Sequence, residues 1–281
     1  MKKSSILITI ALVLSLIAIL IMGGCASTDT AKLKVVTSTS LIAFLVEEVG
    51  DGKIDVVNIV PPAQCPGHFD VKPGDIQKLS NADLFIMHGW QGEKFSQSLI
   101  DSAKNPNLVV SKVNVEGNWM TPPVQMEAID KITTALCEVD NQNCSSYQEK
   151  TSKYKGEVEA KGTELKAKLT QVNPEKVNVL CDEQQAGFVK WAGLNIVGTF
   201  GRPETLTPQI VKELIDKAKA QNVTLIIENL QSGHDAGKGL AEELGCERIT
   251  LSNFPGGFPD TDTWEKAIDH NVELIMEILA K

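Results

Sequence analysis

The chain has 281 residues and a formal net charge of −9, and 42% of its residues are hydrophobic although only 5% are aromatic. An acidic surface repels phosphates, so the composition argues against nucleic-acid binding and suits a protein that attracts cations. Without an N-terminal segment that we expect to be removed, roughly 255 residues remain, enough for one large domain or for two of about 120 residues.

Residues 1–24 have the pattern of a secretory signal. A cationic start, Met1-Lys2-Lys3, precedes an apolar run from Ile6 to Met22, and Gly23-Gly24-Cys25 follows it. This ending resembles the lipobox of prokaryotic lipoproteins, which implies cleavage before Cys25 and a lipid on its sulfur. An uncleaved anchor is the alternative. In both cases we expect the rest of the chain on the outer face of the cytoplasmic membrane, with residues 25–32 as a tether.

Strand-like and helix-like patterns alternate after the tether. The predicted strands of the first half are 33–38, 54–60, 83–87 and 108–110, and the predicted helices are 41–49, 73–82, 93–103 and 122–137. Such alternation favours a parallel sheet that is covered by helices on both faces.

A long charged helix is predicted in the middle of the chain, from Ser145 to Val172. Its apolar side chains recur at spacings of seven and four and form one stripe, made of Tyr147, Tyr154, Val158, Leu165 and Leu169. Asn173-Pro174 is a stop signal. The alternation then restarts, with strands predicted at 177–181, 194–197, 223–227 and 248–251 and helices at 184–192, 208–220, 236–244 and 263–279.

The predicted fold class is therefore α/β, with two doubly wound parallel-sheet lobes joined by one long helix. We place the N-terminal lobe at 33–144, the joining helix at 145–173 and the C-terminal lobe at 174–281. Open parallel sheets bind ligands beyond the carboxyl ends of their strands. The expected ligand site is a cleft between the lobes.

Five cysteines remain beyond Cys25, and an odd number in an exported protein leaves at least one unpaired. Cys137 and Cys144 flank a turn-rich stretch between two helical patterns, so they are either a local disulfide or two unrelated thiols. Cys65 and Cys181 could bind a soft metal, pair with each other, or be small buried residues.

One stretch carries a family resemblance. Ile59-Val-Pro-Pro and the segment from Cys65-Pro-Gly-His-Phe-Asp to Asn81-Ala-Asp-Leu resemble the zinc- and manganese-type solute-binding proteins of ABC importers. Asp140 to Tyr147, Glu228 and His270-Asn271 add to this resemblance. It implies two α/β lobes, a rigid joining helix, a divalent metal as transported ligand and a permease in the membrane as partner.

The family's metal ligands transfer only in part. His68 matches the first histidine, one residue out of register. Gly117, with Asn118 beside it, stands where the second histidine is expected. Asp182, beside Glu183, lies near the third ligand position. Only Asn253 lies near the position of the final carboxylate. The predicted metal ligands are therefore His68, Asp182 or Glu183, with Cys65, Cys181 and His88 as candidate replacements.

Three functions remain open. The first is an extracytoplasmic, monomeric lipoprotein that captures a divalent metal ion, zinc before manganese or iron, for an ABC permease. The second keeps the fold and binds a chelated metal or an organic cofactor, because Arg202 opposes a bare cation and Trp90 and Trp119 are placed near the cleft. The third is a ligand-free, adhesin-like lipoprotein. We do not expect an enzyme, since the sequence has no nucleophile elbow, phosphate loop or His-Glu-x-x-His motif.

Overall fold

A computed structural model describes residues 32–90, 93–233 and 235–280. The predicted signal sequence and the predicted lipid attachment site, Cys25, lie outside this range. From residue 33 onward, parallel strands alternate with helices in two successive sets, as the sequence pattern predicts. Within the described residues, no helix combines the length and the apolar character that crossing a membrane requires.

The first set of elements forms the N-terminal lobe. Its strands are β1 (Leu33–Thr37), β2 (Ile54–Asn58), β3 (Leu84–Met87) and β4 (Val109–Lys112), and its helices are α1 (Ser40–Gly50), α2 (Pro73–Ser80), α3 (Phe95–Ala103) and α4 (Pro122–Val139). The four strands are parallel, in the order β2-β1-β3-β4.

The second set repeats this arrangement. Its strands are β5 (Asn178–Asp182), β6 (Asn195–Phe200), β7 (Leu225–Asn229) and β8 (Glu247–Leu251), and its helices are α6 (Ala186–Ala192), α7 (Pro208–Ala220), α8 (Lys238–Leu244) and α9 (Trp264–Leu279). The order β6-β5-β7-β8 is that of the first sheet, shifted by four strands. The prediction of two parallel-sheet lobes is confirmed.

The joining helix α5 runs from Cys144 to Thr170, 27 residues, and at 1.5 Å per residue it is about 40 Å long. Its predicted apolar stripe is buried. It is tied to α9 by the Tyr154 hydroxyl, which donates to Glu265 Oε1 at 2.7 Å, and by an ion pair of Lys161 with Asp269 at 3.1 Å. A disulfide joins Cys137 to Cys144 where α4 turns into α5.

Among the described residues, one hydrophobic core runs through both lobes. It contains residues of β1, α4, α5, β5 and α9, whereas two smaller clusters lie on the outer faces of the two sheets. The Trp264 indole of α9 donates to the Trp119 carbonyl of the N-terminal lobe at 3.1 Å. Because the lobes share a core, we expect them to move against each other less than lobes joined by loops alone.

Two glycines of α5 provide a matched test of this packing. A Cβ at Gly162 would lie 2.6 Å from Cγ of Pro122 in α4, whereas a Cβ at Gly156 would meet nothing within 4 Å. We expect Gly156→Ala to raise the free energy of unfolding by about 0.5–1 kcal/mol through helix propensity. Gly162→Ala should lower it by about 1–2 kcal/mol, since overpacking exceeds the same propensity gain. Urea unfolding of both variants checks this, and equal stabilisation by both would contradict the close contact.

Candidate ligand cleft

A cleft of about 310 Å³ opens between the lobes and is lined by residues at or after the carboxyl ends of the strands. The N-terminal lobe contributes Leu41 after β1, Cys65, Pro66 and Gly67 after β2, Trp90 after β3, and Gly117, Asn118 and Trp119 after β4. The C-terminal lobe contributes Gln184, Arg202, Asn229, Gln231, Ser232, Asn253 and Phe254. The carboxyl ends of both sheets therefore face one space, where open α/β sheets bind their ligands.

Arg202 crosses this cleft from the loop after β6. Its Nη2 donates to Sγ of Cys65 at 2.8 Å, and its Nη1 lies 3.3 Å from Nε2 of His68. The guanidinium lies against Gly67, where a Cβ would be 3.3 Å from both terminal nitrogens. His68 is exposed and its Nε2 is also 3.5 Å from Glu204 Oε1. A guanidinium is always charged, so a fixed positive charge lies beside two of the predicted metal ligands.

Side-chain amides form the base of the cleft and link the lobes. Asn118 Nδ2 donates to Oδ1 of Asn253 at 2.7 Å and to the Gln184 carbonyl at 2.9 Å. Gln231 Nε2 donates to the Pro62 carbonyl at 2.9 Å. Asn118 and Asn253, which lie at or beside the expected positions of the second and fourth family ligands, are thus bonded to each other. Gly117 has a φ of 102°, a backbone conformation that histidine rarely adopts.

An aromatic cluster forms one wall. His88 is fully buried, with its ring stacked on Trp90 at a centroid distance of 3.6 Å and at 4.5 Å from Trp119. Its Nε2 lies 2.7 Å from the Thr39 hydroxyl, and burial holds the pKa of His88 well below its usual range. His88 therefore supports the Trp90 wall from behind as a neutral ring and does not line the cleft.

A buried carboxylate fixes the loop that carries this wall. Glu93 accepts hydrogen bonds from the Gly89 amide at 2.8 Å and from the Ser38 hydroxyl, and burial raises its pKa. Nothing in the sequence pattern marks Glu93 as a buried residue. Its role depends on Ser38, which is 55 positions away in the sequence and lies just after β1.

Asp182 and Cys181 end β5 beneath the cleft. Asp182 is 1% exposed, and its Oδ1 accepts from the Gln184 amide at 2.8 Å, which delays the start of α6 from the predicted residue 184 to Ala186. Burial raises the pKa of Asp182 to about 6 and that of the Cys181 thiol to about 12. Glu183 is exposed, and neither it nor Asp182 is part of the cleft lining.

The six predicted metal ligands are not gathered into one group. Cys65 and His68 come together around Arg202, but the described residues contain no cluster of three or more His, Cys, Asp or Glu side chains that could hold a metal ion. Cys65 and Cys181 are both free thiols, so the alternative that they pair with each other is wrong. His234 lies outside the described residues. The metal-ligand set therefore stays a prediction.

Several cleft residues were missed from the sequence. Gln184, Asn229, Gln231 and Ser232 all line the space, and each lies within a few residues of a strand end. Their position near the carboxyl ends of predicted strands is the sequence feature that would have predicted them as cleft residues. Amides draw less attention than histidines or carboxylates, because their ordinary role is to cap helices and turns.

Comparison with known proteins decides the family. Residues 35–278 match the model of the family described as zinc-uptake complex component A, periplasmic. The chain belongs to this family. The resemblance seen in the sequence is confirmed.

Relatives that match nearly the whole chain agree with this assignment, and a solved structure shares the fold. A metal ABC transporter substrate-binding lipoprotein of Streptococcus sanguinis is 24% identical over 91% of this chain and 92% of its own length. An iron ABC transporter substrate-binding lipoprotein of Streptococcus pyogenes is 24% identical over 94% of this chain and 96% of its own. The cadmium-bound periplasmic metal-binding protein of Candidatus Liberibacter asiaticus superposes with a TM-score of 0.76 at 18% identity, covering 88% of this chain and all of the other.

Proposed function

We propose that this chain is the substrate-binding lipoprotein of a metal ABC importer. On this proposal the inter-lobe cleft holds the cargo, a transition metal of the zinc, manganese and iron class. The chain works as a monomer on the outer face of the cytoplasmic membrane and presents the cargo to a membrane permease without chemical change. The lobes are those predicted, 33–144 and 174–281, and the lipid is attached at Cys25.

One observation carries the proposal: the residues that follow the strands of two facing parallel sheets line a single cleft. Such a cleft has the volume of a ligand pocket, about 300 Å³ or more. Family membership supports the metal as cargo, since relatives that match nearly the full chain are named as substrate-binding lipoproteins of metal, manganese or iron ABC transporters.

Metal accumulation tests the proposal in cells. We expect deletion of the gene to lower the cellular content of zinc, manganese or iron, measured by elemental analysis during growth on limiting metal. The wild-type gene should restore it. The Cys25→Ser variant should restore it poorly and release the protein to the medium, because a single lipid provides the anchor. Unchanged content of all three metals would contradict the proposal.

A further inference from the structure

The lining of the cleft combines a larger apolar surface with a smaller polar one, and the polar part carries little charge suited to a cation. Arg202 is the only charged residue among the lining residues that the structure describes, and Cys65 is the only thiol there. The remaining polar side chains are amides and one hydroxyl, Ser232. Neutral amides and a guanidinium are donors that recognise carboxylates, whereas a bare transition-metal ion prefers thiolate, imidazole or carboxylate ligands.

Arg202 also occupies the place where a bare ion would be bound. Zinc lies about 2.3 Å from a ligating sulfur and about 2.0 Å from a ligating nitrogen. The Arg202 nitrogens are already 2.8 Å from Cys65 Sγ and 3.3 Å from His68 Nε2. A cation on these two ligands would therefore lie within a few ångströms of a fixed positive charge, and the guanidinium would have to leave first.

The guanidinium and its surroundings retain unused binding capacity. Arg202 has five N–H groups, and neither of its two contacts across the cleft is to a carboxylate. Gln184 lines the same cleft and brings a side-chain amide donor to it. Trp90, stacked on His88, presents a rigid aromatic wall to the same space. These groups are suited to a small, flat, anionic ligand.

The size of the cleft agrees with such a ligand. Its volume of about 310 Å³ corresponds to roughly ten waters at about 30 Å³ each. A metal ion in direct contact with protein ligands needs only a small part of that space, whereas a metal with a small organic acid around it fills much more.

We propose that the cleft takes its metal as an anionic complex with a small carboxylate ligand. Arg202 binds the carboxylate of the complex, the Gln184 amide supplies a further donor, and Trp90 covers one face. Cys65 and His68 hold Arg202 in position across the cleft and do not ligate the metal. This inference rests on the proposed function, because it specifies the form in which the same cleft binds the cargo.

Titration of the purified soluble chain with three probes tests the inference. The probes are zinc citrate, zinc chloride and sodium citrate. Binding of each is measured by calorimetry and by tryptophan fluorescence. We expect zinc citrate to bind at least tenfold more tightly than either other probe. It should also quench the tryptophan fluorescence of the wild type, and this quenching should be absent in Trp90→Phe. Arg202→Gln should weaken zinc citrate at least tenfold, and Lys217→Gln, the same charge change on exposed α7, should leave it unaltered.

Two results would overturn the inference and leave the proposed function standing. One is zinc chloride binding as tightly as zinc citrate, and the other is Arg202→Gln binding zinc citrate as the wild type does. Citrate binding equally well with and without zinc would overturn the metal complex as ligand and would also count against the metal as cargo. If neither form of zinc binds, the inference is wrong, and the cellular metal content decides separately whether the chain serves metal import.

Discussion

Replacing Glu228 by alanine should lower the free energy of unfolding by about 3 kcal/mol, because the change breaks a buried charge network. Glu228 is 2% exposed. Its carboxylate accepts from the Gly237 amide at 2.6 Å, from Arg248 Nη1 at 2.8 Å and from the Thr250 hydroxyl at 3.2 Å. Alanine leaves a buried amide without a partner and opens a cavity at the carboxyl end of β7.

Asp235 provides the matched control for Glu228. It pairs with the same Arg248 nitrogen at 2.8 Å, but its side chain is 55% exposed. Asp235→Asn keeps a residue type that tolerates the φ of 68° and removes only the exposed ion pair, so the loss should stay below about 1 kcal/mol. Urea unfolding gives the loss of unfolding free energy in both variants, provided that the dependence of this free energy on urea concentration is the same as in the wild type. Equal losses in the two variants would show that the burial of Glu228 contributes nothing.

Replacing Asp182 by asparagine should remove a pH dependence of stability between about pH 4 and pH 7.5. The pKa of Asp182 is about 6 in the fold against 3.8 in the unfolded chain. Between these two values Asp182 is protonated in the fold but ionised in the unfolded chain. The contribution of Asp182 to the free energy of unfolding is therefore highest below pH 3.8, and this contribution is lost as the pH rises through about 6. Relative to Asp182→Asn, the wild type should therefore lose about 2.5 kcal/mol across this range.

The prediction compares how the free energy of unfolding changes with pH in the two proteins. An effect of the asparagine on stability that is the same at every pH therefore does not alter it. Asp182→Asn keeps the oxygen that accepts from the Gln184 amide. The control is Glu183→Gln, which removes an exposed carboxylate at the next position and should retain most of the loss. Unfolding is followed in metal-free buffer at several pH values. The same pH dependence in the wild type and in Asp182→Asn would mean that Asp182 ionises in the fold as it does in the unfolded chain.

Most of the fold follows from local sequence patterns. The stripe from Tyr147 to Leu169 predicts α5 to within a few residues of its ends, since helical periodicity and the Asn173-Pro174 stop are properties of neighbouring residues. Thr207 precedes Pro208 at the start of α7 and caps the helix by accepting from the Ile210 amide at 3.3 Å, as threonine commonly does at this position. Boundaries shift where a side chain binds the backbone first, as Asp182 does before α6.

The candidate site was less predictable than the fold. Sequence reasoning identified His68, Cys65 and Arg202 as residues near the cleft, but it did not indicate that the guanidinium lies between the other two. Arg202 and Cys65 are 137 positions apart and meet only because the two lobes face each other. His88 was a reasonable candidate from its position after β3, yet the two tryptophans bury it behind the cleft wall.

The sequence by itself determined the alternation of strands and helices, the long joining helix and the family. The strands and helices follow from the spacing of apolar residues, and the family follows mainly from one continuous motif. Only the tertiary structure decided which polar groups face the cleft and which are buried beneath it. Desolvation of Asp182, stacking of His88 and the charge that Arg202 places beside Cys65 are properties of the surroundings, which form only when distant segments pack together.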